Sequence, residues 1–95
     1  MKILALEKEF PGATADAFRP LMQAEARRVW ELQQSGVLRE IYFDAGQHTA
    51  VLVLECAGVE EACQLLSTLP LVAQGLIEFD IIPLVPYDGY ARLFA

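Results

Sequence analysis

The chain has 95 residues, enough for one small domain, and it is 55% hydrophobic against 21% charged. A net charge of -6 with seven scattered Lys and Arg excludes nucleic acid and anionic membrane surfaces as partners, because both call for a basic patch. A lone domain this small has too much surface for its volume to hide so much apolar material, so a second copy is expected to cover part of it.

No apolar run approaches the roughly 20 residues of a membrane span. Glu55, Glu78 and Asp80 interrupt the longest stretches. The opening MKILALEKEF brings in acidic residues where a signal segment would stay apolar, so the expected location is the cytoplasm. Cys56 and Cys63 form no CxxC and have no His or Cys at ligand spacing, so both read as buried, reduced thiols and no metal is expected.

In chain order, KILALEKE (2–9) alternates loosely and reads as a strand, broken by Phe10-Pro11-Gly12. Thr14 is placed to cap a helix, and Asp16 suits its positive end. Pro20 is tolerated only in a first turn, so the main helix is expected to start there after a short preliminary turn and to end at Gly36. At about 100° per residue, Leu21, Leu32, Phe18 and Val29 fall at roughly 0°, 20°, 60° and 80° around that helix. Glu25 falls at about 40°, in the middle of the apolar stripe, while Arg27 and Glu31 lie elsewhere and Trp30 lies near 180°. A carboxylate on an apolar face has its charged form disfavoured, which moves its pKa toward what a general base needs. The structural alternative is an ion pair with Arg39.

VLREIYFD (37–44) and HTAVLVLE (48–55) read as two strands of a hairpin around the turn AGQ (45–47). Arg39 starts the first of these, on the face opposite Glu40 and Tyr42; it is either a fork for an oxyanion or an edge charge in solvent. His48, the only histidine, starts the second strand. Val59 to Leu69 carries helical spacings and is stopped by Pro70. After the connector LVAQG comes LIEFDIIPL (76–84), the last strand. The tail VPYDGYARLFA (85–95) is too apolar to hang free and is expected to pack on the domain or its partner, with Tyr87 and Tyr90 reaching toward the other subunit.

The order β-α-β-β-α-β over a single domain 1–95 matches the ferredoxin-like α+β arrangement, a four-stranded antiparallel sheet with helices on one face. Yet Ala50, Leu52 and Leu54 on one side of the third strand are matched by Val51 and Val53 on the other, and the fourth strand is equally two-sided. A sheet with one wet face would alternate cleanly, so the second face is expected to meet the sheet of another subunit.

The stretch SGVLREIYFDAGQHTAVLVLECAGVEEACQLLSTLPLVAQGLIEFDIIPL, with its AG turn and its LPL before the last strand, resembles the muconolactone isomerase family of the dimeric α/β-barrel superfamily. The resemblance covers roughly residues 20–84. It implies a homodimer with sheets packed face to face, sometimes built into larger rings, and a ligand pocket between helices and sheet. It also implies isomerisation of a lactone by moving a proton between two carbons, without metal or cofactor. The resemblance places an acid at Glu25 and an arginine at Arg39. Phe43, Gln47 and Met22 stand where the family carries further basic or imidazole residues, which implies a less polar pocket and a small apolar or weakly acidic ligand. The expected site is therefore Glu25 as base and Arg39 at the oxyanion, with Tyr42, His48 and Tyr87 around the substrate. Two other functions fit the same fold: a cofactor-free monooxygenase of quinol-like aromatics, and a non-catalytic dimer that binds small acids. With no nucleophile elbow or phosphate loop in the sequence, hydrolysis and nucleotide chemistry rank low.

Overall fold

The computed structural model describes residues 1–95. Strand β1 spans Lys2–Glu9, β2 Leu38–Phe43, β3 Ala50–Glu55 and β4 Ile77–Leu84. They form one antiparallel sheet in the order β2-β3-β1-β4. The helices are α1 (Ala15–Phe18), α2 (Met22–Gln34), α3 (Val59–Leu66) and the single turn α4 (Pro70–Ala73). This is the ferredoxin-like order expected, and no helix is long and apolar enough to cross a membrane.

Local chemistry explains most boundaries. Thr14 Oγ1 accepts a hydrogen bond from the Ala17 amide at 3.2 Å, capping α1. Pro20 sits in a 3-10 turn, Arg19–Leu21, that separates α1 from α2. Gly36 ends α2 with φ at +87°, in the left-handed region that favours glycine.

Three details differ from the sequence reading. Pro70 does more than stop α3: it is the first residue of α4, where its missing N–H costs nothing, and Leu69 before it is extended at ψ 130°. The hairpin connection is longer than the AGQ turn. Asp44 Oδ1 accepts from the amides of Gly46 and Gln47, and the Asp44 carbonyl accepts from the His48 amide at 2.8 Å. His48 therefore lies in the loop, at φ +58°, and not at the head of β3. Cys63 is exposed on α3 and Cys56 half-buried, because the inward stripe of α3 runs through Ala62 and Leu66.

The helix-covered face holds the core. Ile3 and Ala5 of β1, Leu52 and Leu54 of β3, and Leu38 of β2 are buried against Leu32, Ala62, Leu66 and Leu69. The opposite face carries Leu4 and Leu6, paired across the sheet with Val53 and Val51 on one side and with Ile82 and Asp80 on the other. Ile82 and Leu84 are 39% and 37% exposed there, and a Lys8–Asp80 ion pair at 3.0 Å closes one end of the patch. The tail leaves the body altogether. Tyr87 and Tyr90 meet edge to face at 4.9 Å, yet Val85, Leu93 and Phe94 are more than three-quarters exposed. The radius of gyration is 15.4 Å, against about 12 Å for a compact chain of this length.

Candidate active site

Glu25 sits on α2 among Leu21, Val29 and Leu32, half-buried as its place on the stripe requires. Its Oε1 accepts a hydrogen bond at 3.0 Å from the amide of Leu71. Leu71 is the second residue of α4, whose own N-cap, Leu69, has no capping side chain. A carboxylate on α2 thus satisfies one of the free N–H groups at the start of α4, across 46 positions of sequence. Glu25 makes no ion pair. Burial raises its pKa above the ordinary carboxylate value; the Leu71 amide opposes this, and the nearby charge of Glu7 adds to it.

Glu7 is the residue that the sequence reading passed over. It follows Ile3 and Ala5 on the helix-covered face of β1, opposite Phe79. Its Oε1 accepts from the Ala50 amide at 2.8 Å, at the point where β3 begins. It too makes no ion pair. With Lys8, Glu9, Gln47 and Thr49 it lines a hollow that opens to solvent between β1 and the hairpin loop. Period-two counting along KILALEKE does put an acid after two core positions, which was the available signal.

The remaining candidates are dispersed. Arg39 is exposed and its Nε donates to the Gly36 carbonyl, so it is not the counter-ion of Glu25. It occupies a bulge, since Leu38 pairs with Leu54 while Glu40 pairs with Val53, leaving Arg39 without an opposite number. Tyr42 lies on the open face of the sheet beside Val51, and its hydroxyl donates to Glu40 Oε1 at 2.6 Å, which raises the phenol pKa. It is on the other side of the sheet from Glu25. His48 stacks on Phe43 with ring centroids 4.0 Å apart. Tyr87 is 67% exposed in the tail, and Trp30 is 60% exposed on α2. Of these residues, only Glu7 is near enough for its charge to act on Glu25.

A four-stranded ferredoxin-like sheet, covered on one face by helices and carrying the half-buried carboxylates of Glu7 and Glu25 on that side, defines a small α+β protein of the ferredoxin-like class. The match to the family described as muconolactone delta-isomerase extends over residues 5–89, and the chain belongs to that family. The crystal structure of muconolactone isomerase is similar in fold, with a TM-score of 0.75 and 20% identity over 93% of this chain and 92% of the other. A 5-chloro-2-hydroxyhydroquinone dehydrochlorinase from Burkholderia phenoliruptrix AC1100, in complex with 2,5-dihydroxybenzoquinone, has a TM-score of 0.70 and 15% identity, covering 94% of this chain and 98% of that one. No curated protein matches the sequence.

Proposed function

We propose that the protein is a cofactor-free isomerase of small lactones or enones, with Glu25 as the base that moves a proton α to the carbonyl. The observation that carries this reading is Glu25 itself. It is a half-buried carboxylate without a cationic partner, on the apolar stripe of α2, with its pKa raised chiefly by burial. Membership of the muconolactone delta-isomerase family supports the reaction class. Arg39 has guanidinium donors beyond the one spent on Gly36, but it stands at the Leu54 end of the sheet, away from Glu25 within its own chain, and has no part in the step proposed here. His48 and the tail tyrosine Tyr87 border the ligand, Tyr87 from the second copy.

The working form is a homodimer, the two open sheet faces packed together, in the cytoplasm. The half-exposed apolar patch of Leu4, Leu6, Val51, Val53, Ile82 and Leu84 supports this assembly, and so does a tail that finds nothing to cover within its own chain. Tyr42 on that face would then lie in the interface.

Proton NMR in deuterated water tests the reaction, using muconolactone methyl ester and angelica lactone as substrates. The wild type is expected to exchange the acidic ring protons and shift the double bond. Glu25→Gln keeps an oxygen for the Leu71 amide but loses the base, so the rate should fall by roughly 10²–10⁴-fold. Exchange that persists in Glu25→Gln would remove Glu25 from the chemistry. Oxygen consumption with a quinol would point to the monooxygenase function instead.

A further inference from the structure

The reaction proposed above leaves open which carbonyl compounds reach Glu25, and Glu7 bears on that. Three observations place it there. Glu7 extends the row Ile3, Ala5 on the covered face of β1, so its carboxylate projects to the side on which α2 lies. Its Oε1 is fixed by the Ala50 amide at 2.8 Å, at the end of the sheet where β4 begins. That is the end above which α4 holds Glu25, because the Leu71 carbonyl accepts from Leu76, the residue before β4. The two carboxylates are therefore each anchored on a backbone amide, one from β3 and one from α4, neither makes an ion pair, and the charge of Glu7 acts on Glu25.

We propose that Glu7 is the specificity-determining residue of this site: its fixed negative charge beside Glu25 rejects carbonyl compounds that carry a carboxylate and admits their uncharged counterparts. The inference rests on the isomerase reading of Glu25 and names its substrate class, uncharged unsaturated lactones and enones. The physics is like-charge repulsion inside a partly dry site, where a ligand anion has to approach a carboxylate without an intervening cation. Glu7 also lines, with Lys8, Glu9, Gln47 and Thr49, the hollow that opens to solvent beside the hairpin loop, where the one cation, Lys8, is paired with Asp80. Muconolactone carries a carboxylate; its methyl ester has the same ring without the charge, and the pair isolates this one variable.

The test measures both binding and exchange for the acid and its ester with wild type, Glu7→Gln and Glu25→Gln. Binding is followed by the amide resonances of Leu71 and Ala50, which report on the two carboxylates whether or not chemistry occurs. The wild type should bind and turn over the ester at least about tenfold better than the acid. Glu7→Gln keeps the oxygen that accepts from Ala50 and should bring the acid to within about twofold of the ester, whatever the absolute rate of ester exchange. Equal binding of acid and ester by the wild type, a preference that survives Glu7→Gln, or no binding of either compound overturns the proposal. Ester binding without exchange would keep the selectivity and overturn the isomerase reading, so the two failures are distinguishable.

Discussion

The two faces of the sheet are built from the same kinds of residue and reach different ends. On the covered face Leu52 and Leu54 are buried to within 1% of complete exclusion from solvent, while on the open face Ile82 and Leu84 remain more than a third exposed. β3 shows the contrast within one element, since Val51 and Val53 alternate with Leu52 and Leu54 and differ only in what lies above them. Helices supply the cover on one side from within the chain. On the other side nothing in the chain does so, and a patch of this composition is cheapest to leave dry by association. Folding draws on one face of the strand and the proposed assembly on the other, and substitutions at adjacent positions should separate them.

The largest effect is expected from placing a charge on either face. Leu54→Asp puts an unpaired carboxylate in the core and should abolish cooperative folding, read by circular dichroism. Val53→Asp should leave a folded monomer and prevent the proposed dimer, with a cost of about 3–5 kcal/mol for each charge buried without a partner, read by sedimentation. A dimer that survives Val53→Asp would move the interface elsewhere. Truncation sharpens the same contrast at lower energy. Leu54→Ala should cost about 2–5 kcal/mol in urea unfolding, whereas Val51→Ala should cost about 1 kcal/mol or less in the isolated monomer.

Glu25 breaks the simple picture of an apolar covered face, and its replacement tests why. Glu25→Leu completes the stripe but strips the Leu71 amide of its acceptor at the start of α4, so a net loss of about 1 kcal/mol is expected. Glu25→Gln should be close to neutral in stability, because the acceptor remains. The smallest effect is the pH dependence. Because the folded-state pKa of Glu25 is raised, the native chain holds this proton more tightly than the unfolded chain does. Stability from this group is therefore greatest below the ordinary glutamate value and declines as pH rises through the folded one. Urea midpoints across pH 4–8 should show that decline in the wild type and its absence in Glu25→Gln.

The order of elements was legible because hydrophobic period changes from two to 3.6 and back at each Gly or Pro break, and the observed strands start or end within two residues of the positions read from sequence. Glu25 was legible as an anomaly for the same reason: a charge in the middle of a helical stripe violates the pattern. Its partner was not. The Leu71 amide is a backbone group, freed only because Pro70 starts a new turn, and Pro70 in sequence signals an ending at least as strongly as a beginning. Glu7 was hidden by its neighbours, since Lys8 and Glu9 make the end of β1 look uniformly wet. Which side of the sheet Arg39 serves was not legible, because parity counting assumes an unbroken ladder.

That broken ladder also says what an insertion or deletion would do. In β2 the residues Leu38, Glu40, Ile41, Tyr42 and Phe43 meet Leu54, Val53, Leu52, Val51 and Ala50 in unbroken succession, and Arg39 alone is supernumerary. Removing its codon would leave a regular strand with every other side chain on the face it now occupies, whereas removing any of Glu40 to Phe43 would shift the side chains between it and the bulge. The hairpin can shed Arg39 and keep its registry, so what the chain retains by carrying it is a guanidinium at that spot and not a rung of the sheet.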